Sequence, residues 1–282
     1  MPYMKNSYCM LQLTAPNWTA DEMIYRCAEI GYQRVSFRSI AMGLPGKKWY
    51  DLTERSTRSA VEKALKETGM ILDCVDLIAI KDGTDVASKE AAVAAAAGLG
   101  GKSILTNVWI PDKALYTKKV AQVCELAAKY NMTATFEFVT WSACRNLAAA
   151  KELLRTIDMD NGRLAVDTLH FYRSSERLAD LEDCPAKWFD TIHVCDIVGG
   201  IPKDDAVLAH QARNERLAPG EGEIDIKGIV SYLQAHKNPK AVIALEIPNK
   251  QRLAAWGDYE HARYCLERTV KALEGAEGTD TL

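Results

Sequence analysis

The chain has 282 residues, of which 48% are hydrophobic and 26% charged, a composition typical of a globular protein with a large core. Its net charge of -3 and its pI of about 6.0 argue against a nucleic-acid-binding protein, since such domains are usually basic. No apolar run reaches the roughly 18 residues that a membrane helix needs, so we expect neither a nucleic acid nor a membrane as partner.

The cysteines and the first residues of the chain predict a cytoplasmic location. The eight cysteines are scattered without a C-x-x-C pair, which argues against a zinc ribbon or a thioredoxin-like motif. Scattered cysteines in a chain of this size are typical of reduced, buried thiols. The opening stretch MPYMKNSYCMLQLTA lacks the longer apolar region and the cleavage site of a signal peptide.

Apolar runs of strand length alternate along the chain with amphipathic helical patterns. The predicted strands are residues 7–13, 34–39, 71–79, 103–110, 133–139, 163–168, 190–197 and 241–247. The clearest predicted helices are residues 19–31, 51–69, 88–100, 112–131 and 258–275. Such alternation indicates parallel strands joined by crossover helices.

Eight strand–helix units favour an α/β fold with a single (β/α)8 TIM barrel over residues 1–282. An open doubly wound sheet is the structural alternative. No strand leads into a G-x-G-x-x-G turn, because the glycine-rich residues 98–103 precede a strand instead of opening a helix. Residues 198–223 are too polar and broken for one crossover helix, and we interpret them as a long loop over the active-site face.

Polar residues recur near the ends of the last four predicted strands. They are Glu137, Asp167, His193 and Glu246. Burying one unpaired polar group on each of four consecutive strands would be costly, and one divalent cation at the barrel mouth would satisfy all of them. Three carboxylates and one imidazole suit Mn²⁺, Mg²⁺, Co²⁺ or Zn²⁺. The pattern therefore predicts a metal site.

The same strands carry short motifs with the order and spacing of a known family. The motifs are EF in strand five, D-x-x-H closing strand six, H-x-x-D in strand seven, PGEGEID at residues 219–225 and LE in strand eight. Together they resemble the xylose-isomerase-like TIM barrels, which include sugar phosphate isomerases and epimerases, ketose epimerases, inosose dehydratases and endonuclease IV. The resemblance covers essentially the whole chain and is strongest from Glu137 onward.

The resemblance implies roles for individual residues. Glu137, Asp167, His193 and Glu246 would hold one divalent ion, most readily Mn²⁺. Glu137 and Glu246 would also form the acid/base pair on opposite faces of a bound sugar, and His170 would reach a substrate oxygen. A trinuclear endonuclease-IV site is disfavoured, because none of the five histidines precedes residue 170.

Two departures argue against ketose 3-epimerase activity in particular. Ketose 3-epimerases carry a glutamate at the position of Ala143 and an arginine at the position of Gly199. Replacement substrate contacts are predicted from Arg216, Arg173 and Trp109, with Arg213 and Trp141 as further candidates; solvated arginines and rim packing are the alternatives.

Several polar residues also have simpler structural interpretations. Asp167 alone would serve as a helix N-cap, and His193 as a hydrogen-bonded core histidine. Asp196 is either structural or a residue that orients His193 or a loop. The role of Arg38 stays open, and Cys195 is interpreted as a core residue in preference to a nucleophile. The loop of residues 43–51, with Trp49, is a candidate lid.

The sequence thus predicts a divalent-metal-dependent isomerase or epimerase of a sugar or keto-polyol. A carboxylate would remove the proton next to a carbonyl to give an enediolate. The first alternative is a metal-dependent lyase, either an inosose-type dehydratase or a keto-glycoside-cleaving enzyme. The second alternative is a non-catalytic sugar-binding or partner subunit. A homo-oligomer is compatible with either class.

Overall fold

Eight parallel strands pair in chain order and close into one barrel in the computed structural model, which describes residues 5–42 and 48–275. The strands are β1 (Tyr8–Leu11), β2 (Arg34–Arg38), β3 (Ile71–Ile80), β4 (Ser103–Val108), β5 (Thr133–Glu137), β6 (Gly162–Asp167), β7 (Thr191–Val194) and β8 (Val242–Leu245). Because β1 pairs with both β2 and β8, the sheet has no free edge. The predicted (β/α)8 barrel is confirmed, and the open-sheet alternative is wrong.

Nine α-helices lie within the described residues and surround the barrel. They are α1 (Ala20–Ile30), α2 (Arg55–Thr68), α3 (Glu90–Gly98), α4 (Lys113–Lys129), α5 (Leu147–Ile157), α6 (Thr168–Arg173), α7 (Asp205–Asn214), α8 (Ile226–His236) and α9 (Lys250–Glu274). Helix α1 shows the physical basis of the capping residues that predict where helices begin and end. Thr19 and Glu22 form a reciprocal capping box there, and Gly31 ends the helix with a φ of 116°.

Residues 198–223 and the last predicted helix differ from the prediction. Residues 198–223 are not loop throughout, because α7 forms inside them with Asp204 as its N-cap. The last helix begins at Lys250, eight residues before the predicted start, since Asn249 caps an additional turn. Gly257, with φ 76° and ψ 171°, then joins two helical segments that the sequence pattern did not connect.

Some predictions extend outside the described residues. Residues 1–4, 43–47 and 276–282 are not described, so the lid over residues 43–51 is covered only from Lys48 onward. The single domain over residues 1–282 stays a prediction. All eight cysteines are free and buried, in agreement with the core interpretation. Within the described part of the chain, no helix is both long and apolar enough to cross a membrane.

His261 is a fully buried polar side chain of α9 and makes stability depend on pH. Its Nε2 lies 2.8 Å from the Ile247 carbonyl oxygen, the geometry of a donated hydrogen bond. Burial is the main cause that lowers the pKa of His261 below its usual value. The unfolded chain therefore binds this proton more readily than the folded chain, and stability falls as the pH drops below about 6.5.

We expect His261→Gln to flatten this pH dependence, because glutamine can donate to Ile247 without titrating. Urea unfolding with EDTA at pH 7.5 and 5.5 measures the effect, which is at most about 1.4 kcal/mol per pH unit for one proton. The exposed His236 provides the control, and His236→Gln should retain the wild-type slope. An unchanged slope in His261→Gln would contradict the prediction.

Candidate functional site

The four predicted metal ligands converge at the carboxyl end of the barrel. Glu137 ends β5, Asp167 ends β6, His193 lies within β7 and Glu246 directly follows β8. One donor atom from each residue lies within 4.8 Å of the donor atoms of the other three, and all four residues are buried. Asp167 and His193 are Cα partners in the parallel ladder, so neighbouring strands present them at one level.

This donor set fits a divalent cation. Ligand atoms lie about 2.0 to 2.6 Å from such ions, so two ligands of one ion are separated by at most about 5 Å. Three buried carboxylates also repel one another unless positive charge compensates them. The donor chemistry and spacing therefore support a metal site, and the identity of the ion stays a prediction.

Asp167 has the predicted N-cap function and also reaches the cluster. Its Oδ1 accepts hydrogen bonds from the backbone N–H groups of Leu169 (2.8 Å) and His170 (3.2 Å) at the start of α6. Its Oδ2 lies 2.7 Å from the guanidinium of Arg216. The N-cap interpretation of Asp167 is therefore compatible with its predicted role as a metal ligand, because Oδ1 caps the helix and Oδ2 has a different partner.

Arg216 is the principal cationic partner of the cluster. Its Nη1 lies 2.7 Å from Asp167 Oδ2 and 3.1 Å from Glu246 Oε2, and its Nε donates to the Ala212 carbonyl oxygen. The side chain is only 4% exposed. The charged partners of Arg216 are thus two carboxylates of the cluster, and the substrate contact predicted for Arg216 stays a prediction.

The neighbours give the carboxylates different acidities. Burial raises the pKa of Asp167, but the charge of Arg216, with His170 and His193, outweighs burial and holds the pKa well below its usual range. Burial dominates for Glu246 and raises its pKa, with Arg216 opposing. Asp167 is therefore a permanent anion and a poor base, whereas Glu246 is the better proton acceptor.

His193 is paired with Glu137 in the described structure. Its Nδ1 lies 3.0 Å from Glu137 Oε1. Burial lowers the pKa of His193, but the hydrogen bond and charge of Glu137 outweigh burial and raise the pKa above its usual value. His193 is thus buried and hydrogen-bonded, as the core interpretation predicts, and its partner is a carboxylate of the cluster; its role as a metal ligand stays a prediction.

His170 and Trp141 form one wall beside the cluster. The two rings meet edge to face with centroids 5.1 Å apart, and His170 Nδ1 lies 3.4 Å from the Thr140 hydroxyl oxygen. Burial lowers the pKa of His170, so the imidazole is neutral at physiological pH. Arg213 stacks over the Trp141 ring at 5.7 Å. The predicted contact of His170 with a substrate oxygen remains a prediction.

The other two predicted substrate contacts have intramolecular partners. Arg173 is 4% exposed and donates to the Val198 carbonyl oxygen at 3.3 Å and to Gln211 Oε1 at 3.0 Å. Arg173 is thus hydrogen-bonded to two residues of the segment 198–211. Trp109 donates from Nε1 to Asn107 Oδ1 at 2.7 Å. These contacts fix both side chains, and their substrate roles remain predictions.

Asp196 has a structural role in organising the PGEG turn. Its carboxylate accepts hydrogen bonds from four backbone N–H groups, at distances of 2.8 to 3.0 Å. The donors are Ile197, Gly220, Gly222 and Ile224. Asp196 therefore orients a loop, which is one of the roles predicted for it. The turn in this way positions the chain that carries Arg216.

Gly222 is required where the turn approaches Asp196. A Cβ at this position would lie 2.2 Å from the Ile197 carbonyl oxygen and 2.3 Å from Asp196 Oδ1. We expect Gly222→Ala to lower the free energy of unfolding by about 1 to 3 kcal/mol, because backbone and carboxylate must move apart. Urea denaturation measures this effect. The exposed Lys227 offers a control, since Lys227→Ala should stay within about 0.5 kcal/mol of wild type. Equal stability of Gly222→Ala and wild type would contradict the expectation.

The sequence analysis missed Asp76, a further carboxylate that faces the cluster. Asp76 lies in β3, is 6% exposed, and its Oδ1 has no hydrogen-bond partner among the described residues. Burial raises its pKa to about 6, against the opposing charges of Arg38 and His193. The available signal was the one that identified Glu137, namely a carboxylate in the second half of an apolar strand.

Cys195 is not a nucleophile in this arrangement. The thiol is fully buried, with Sγ 3.3 Å from Arg216 Nη1. Burial raises its pKa to about 12, so the reactive thiolate is not populated near neutral pH. The predicted core role of Cys195 agrees with its position.

Comparisons with known proteins agree with this architecture. A family model described as a xylose isomerase-like TIM barrel matches residues 24–269. The inosose isomerase of Bacillus licheniformis is 25% identical over 124 residues, which are 43% of this chain and 42% of that protein. The match therefore spans about two-fifths of the length of that curated relative.

Solved structures resemble the whole barrel. The crystal structure of the IOLI protein with a bound zinc atom has a TM-score of 0.73 and 16% identity, covering 98% of this chain and 100% of that chain. The probable 3-DHS dehydratase AsbF from Bacillus anthracis has a TM-score of 0.72 and 16% identity, covering 96% of this chain and 99% of that chain. At these identities the likeness concerns the fold.

Proposed function

Because this chain belongs to the xylose isomerase-like TIM barrel family, we propose that it is a divalent-metal-dependent isomerase or epimerase of a sugar or keto-polyol. The observation that carries the proposal is the buried cluster of Glu137, Asp167, His193 and Glu246, whose donor atoms lie within 4.8 Å of one another. The partial match to an inosose isomerase supports a small polyhydroxylated substrate. The free, buried cysteines support a reducing, cytoplasmic compartment.

These four residues would hold one divalent ion, for which we propose Mn²⁺. When bound, the ion would polarise a carbonyl and an adjacent hydroxyl and so acidify the intervening C–H bond. Oxygen-rich donor sets with one imidazole suit Mn²⁺. Zn²⁺ is the second candidate, because the structure of the IOLI protein contains a zinc atom.

The protein residues would carry the proton transfer. Glu246, with its pKa raised by burial, would remove the proton next to the carbonyl, and Glu137 across the mouth would supply or return a proton. Asp167 would remain ionised throughout, since its pKa is held low. Return of the proton to the opposite face gives an epimer, and its return to the neighbouring carbon gives the isomeric carbonyl compound.

The wall of aromatic and neutral side chains would orient the substrate. His170 is neutral and buried, and it can exchange a hydrogen bond with a substrate oxygen. Trp141 and Trp109 would cover a sugar face and limit the access of water to the carbanionic intermediate. Arg173 and Arg216 would act in support, by holding the residues that form the mouth.

Incubation of the Mn²⁺-loaded protein with keto-sugars and inososes in D₂O tests the proposal. We expect deuterium at the carbon next to the carbonyl together with an isomeric or epimeric product. A new enone absorbance would instead assign the lyase alternative, which the fold shared with AsbF makes the first competitor. Absence of exchange across the panel would favour the sugar-binding subunit and would contradict the proposal. An EDTA-treated sample serves as the metal-free control.

A further inference from the structure

The ends of β2 and β3 carry three buried polar groups without hydrogen-bond partners among the described residues. They are Arg38 Nε, the Ser39 hydroxyl and Asp76 Oδ1. Ser39 is fully buried, and Asp76 is 6% exposed. Buried polar atoms are nearly always hydrogen-bonded, so three orphans side by side require an explanation.

Two of the orphan groups, those of Arg38 and Asp76, share one face of the barrel mouth. Arg38 and Asp76 are Cα partners in the β2–β3 ladder, so their side chains leave the same side of the sheet. The backbone N–H of Ser39 donates to the Asp76 carbonyl oxygen at 2.9 Å. Cys74 and Ala165 belong to one buried cluster inside the barrel, and Asp76 and Asp167 each lie two residues further along the same strands, so their side chains point to the same side. Arg38 and Asp76 therefore form one wall, here called the β2–β3 wall.

The charges around this wall disfavour an anionic ligand. Next to the cluster and the β2–β3 wall, the carboxylates of the cluster and of Asp76 stand beside the guanidinium groups of Arg38 and Arg216. A divalent cation would bring the total charge of these groups to zero. A phosphate or carboxylate placed against Arg38 would also lie close to Asp76, which repels it.

We propose that the β2–β3 wall is a binding subsite for neighbouring hydroxyl groups of an uncharged polyol or keto-polyol. The guanidinium of Arg38 donates and the carboxylate of Asp76 accepts. Each substrate hydroxyl is both a donor and an acceptor, so two adjacent hydroxyls satisfy both orphan groups of the wall. This inference rests on the proposed function, since it extends the same site, and it selects uncharged substrates over sugar phosphates and sugar acids.

Binding of non-reacting polyols tests the subsite independently of catalysis. The Mn²⁺-loaded full chain is titrated by calorimetry with myo-inositol, D-sorbitol and D-mannitol and with their monophosphate esters. We expect at least one uncharged polyol to bind, and each ester to bind more weakly than its parent. Asp76→Leu and Arg38→Met should each weaken polyol binding about tenfold or more, the loss typical of a hydrogen bond to a charged group.

Two controls separate a binding role from a structural one. Asp82→Asn changes an exposed carboxylate in the loop after the same strand and should leave polyol affinity within about twofold. Urea denaturation establishes that each variant is fully folded at the temperature of the titration, so that a loss of affinity reports a lost binding group. A purely structural role would leave the polyol affinity of the folded variant unchanged.

Three results would overturn the inference. They are tighter binding of the esters than of the parent polyols, wild-type polyol affinity in both variants, and no binding of any polyol by wild type. These polyols have no carbonyl group and do not turn over. Absence of exchange in D₂O with polyol binding intact would therefore count against the proposed function alone, and wild-type polyol affinity in both variants would count against the subsite alone.

Discussion

Replacing Glu246 by glutamine is expected to slow deuterium exchange by about 10²- to 10⁴-fold, the usual contribution of a positioned acid or base. Glutamine retains an oxygen of nearly the same shape and position but does not accept the proton. Burial raises the pKa of Glu246, whereas Asp167, in the same cluster, is held ionised and is a poor base. The measurement is the exchange rate in D₂O at saturating Mn²⁺, with bound metal quantified in the same sample.

The matched control for this variant is Glu125→Gln, an exposed glutamate of α4. It should exchange at the wild-type rate. Glu137→Gln should also lose exchange, because the proposal gives both carboxylates a proton to transfer. If Glu246→Gln holds its metal and retains more than about a tenth of the wild-type rate, the assignment of Glu246 as the base is wrong.

Replacing Arg216 by methionine is expected to lower the free energy of unfolding by about 3 to 5 kcal/mol in EDTA, the usual result of removing one partner from a buried ion pair. Asp167 and Glu246 would then be left without the guanidinium 2.7 Å and 3.1 Å away. Methionine fills much of the volume, so the loss measures charge more than packing. Urea denaturation of the metal-free proteins gives the difference.

Arg213→Met is the control for Arg216→Met, because Arg213 lies three residues earlier and is exposed. Its guanidinium lies over the Trp141 ring. The free energy of unfolding of Arg213→Met should stay within about 1 kcal/mol of the wild-type value. Saturating Mn²⁺ should stabilise Arg216→Met more than wild type, since the ion replaces the lost positive charge. Equal stability of Arg216→Met and wild type in EDTA would mean that the carboxylates do not depend on the guanidinium.

The cluster was predictable because buried strands tolerate few polar residues. Glu137 and His193 stand among apolar and β-branched neighbours, where an unpaired polar group is costly. The strand–helix alternation supplied the barrel, and the barrel brings the ends of consecutive strands together. The same signal is present in β3, where Asp76 stands among apolar residues.

Contacts made by loop residues were not predictable in the same way. Arg216 reaches Asp167 across 49 residues of sequence, and no local periodicity encodes that distance. Asp196 binds backbone N–H groups 24 to 28 residues away, a role that depends on how the PGEG turn folds back. Helix α7 formed within a polar segment because an aspartate cap outweighed weak amphipathicity. Tertiary geometry decides each of these features.

The metal content of purified protein tests the central claim most directly. After incubation with Mn²⁺ and removal of free ion, elemental analysis of wild type and of Asp167→Ala should be compared. We expect close to one ion per wild-type chain and a large loss of bound metal in Asp167→Ala, with Asp82→Asn retaining the wild-type amount. A wild-type protein without bound metal, or an Asp167→Ala variant that keeps the full amount, would show that these four residues do not hold an ion.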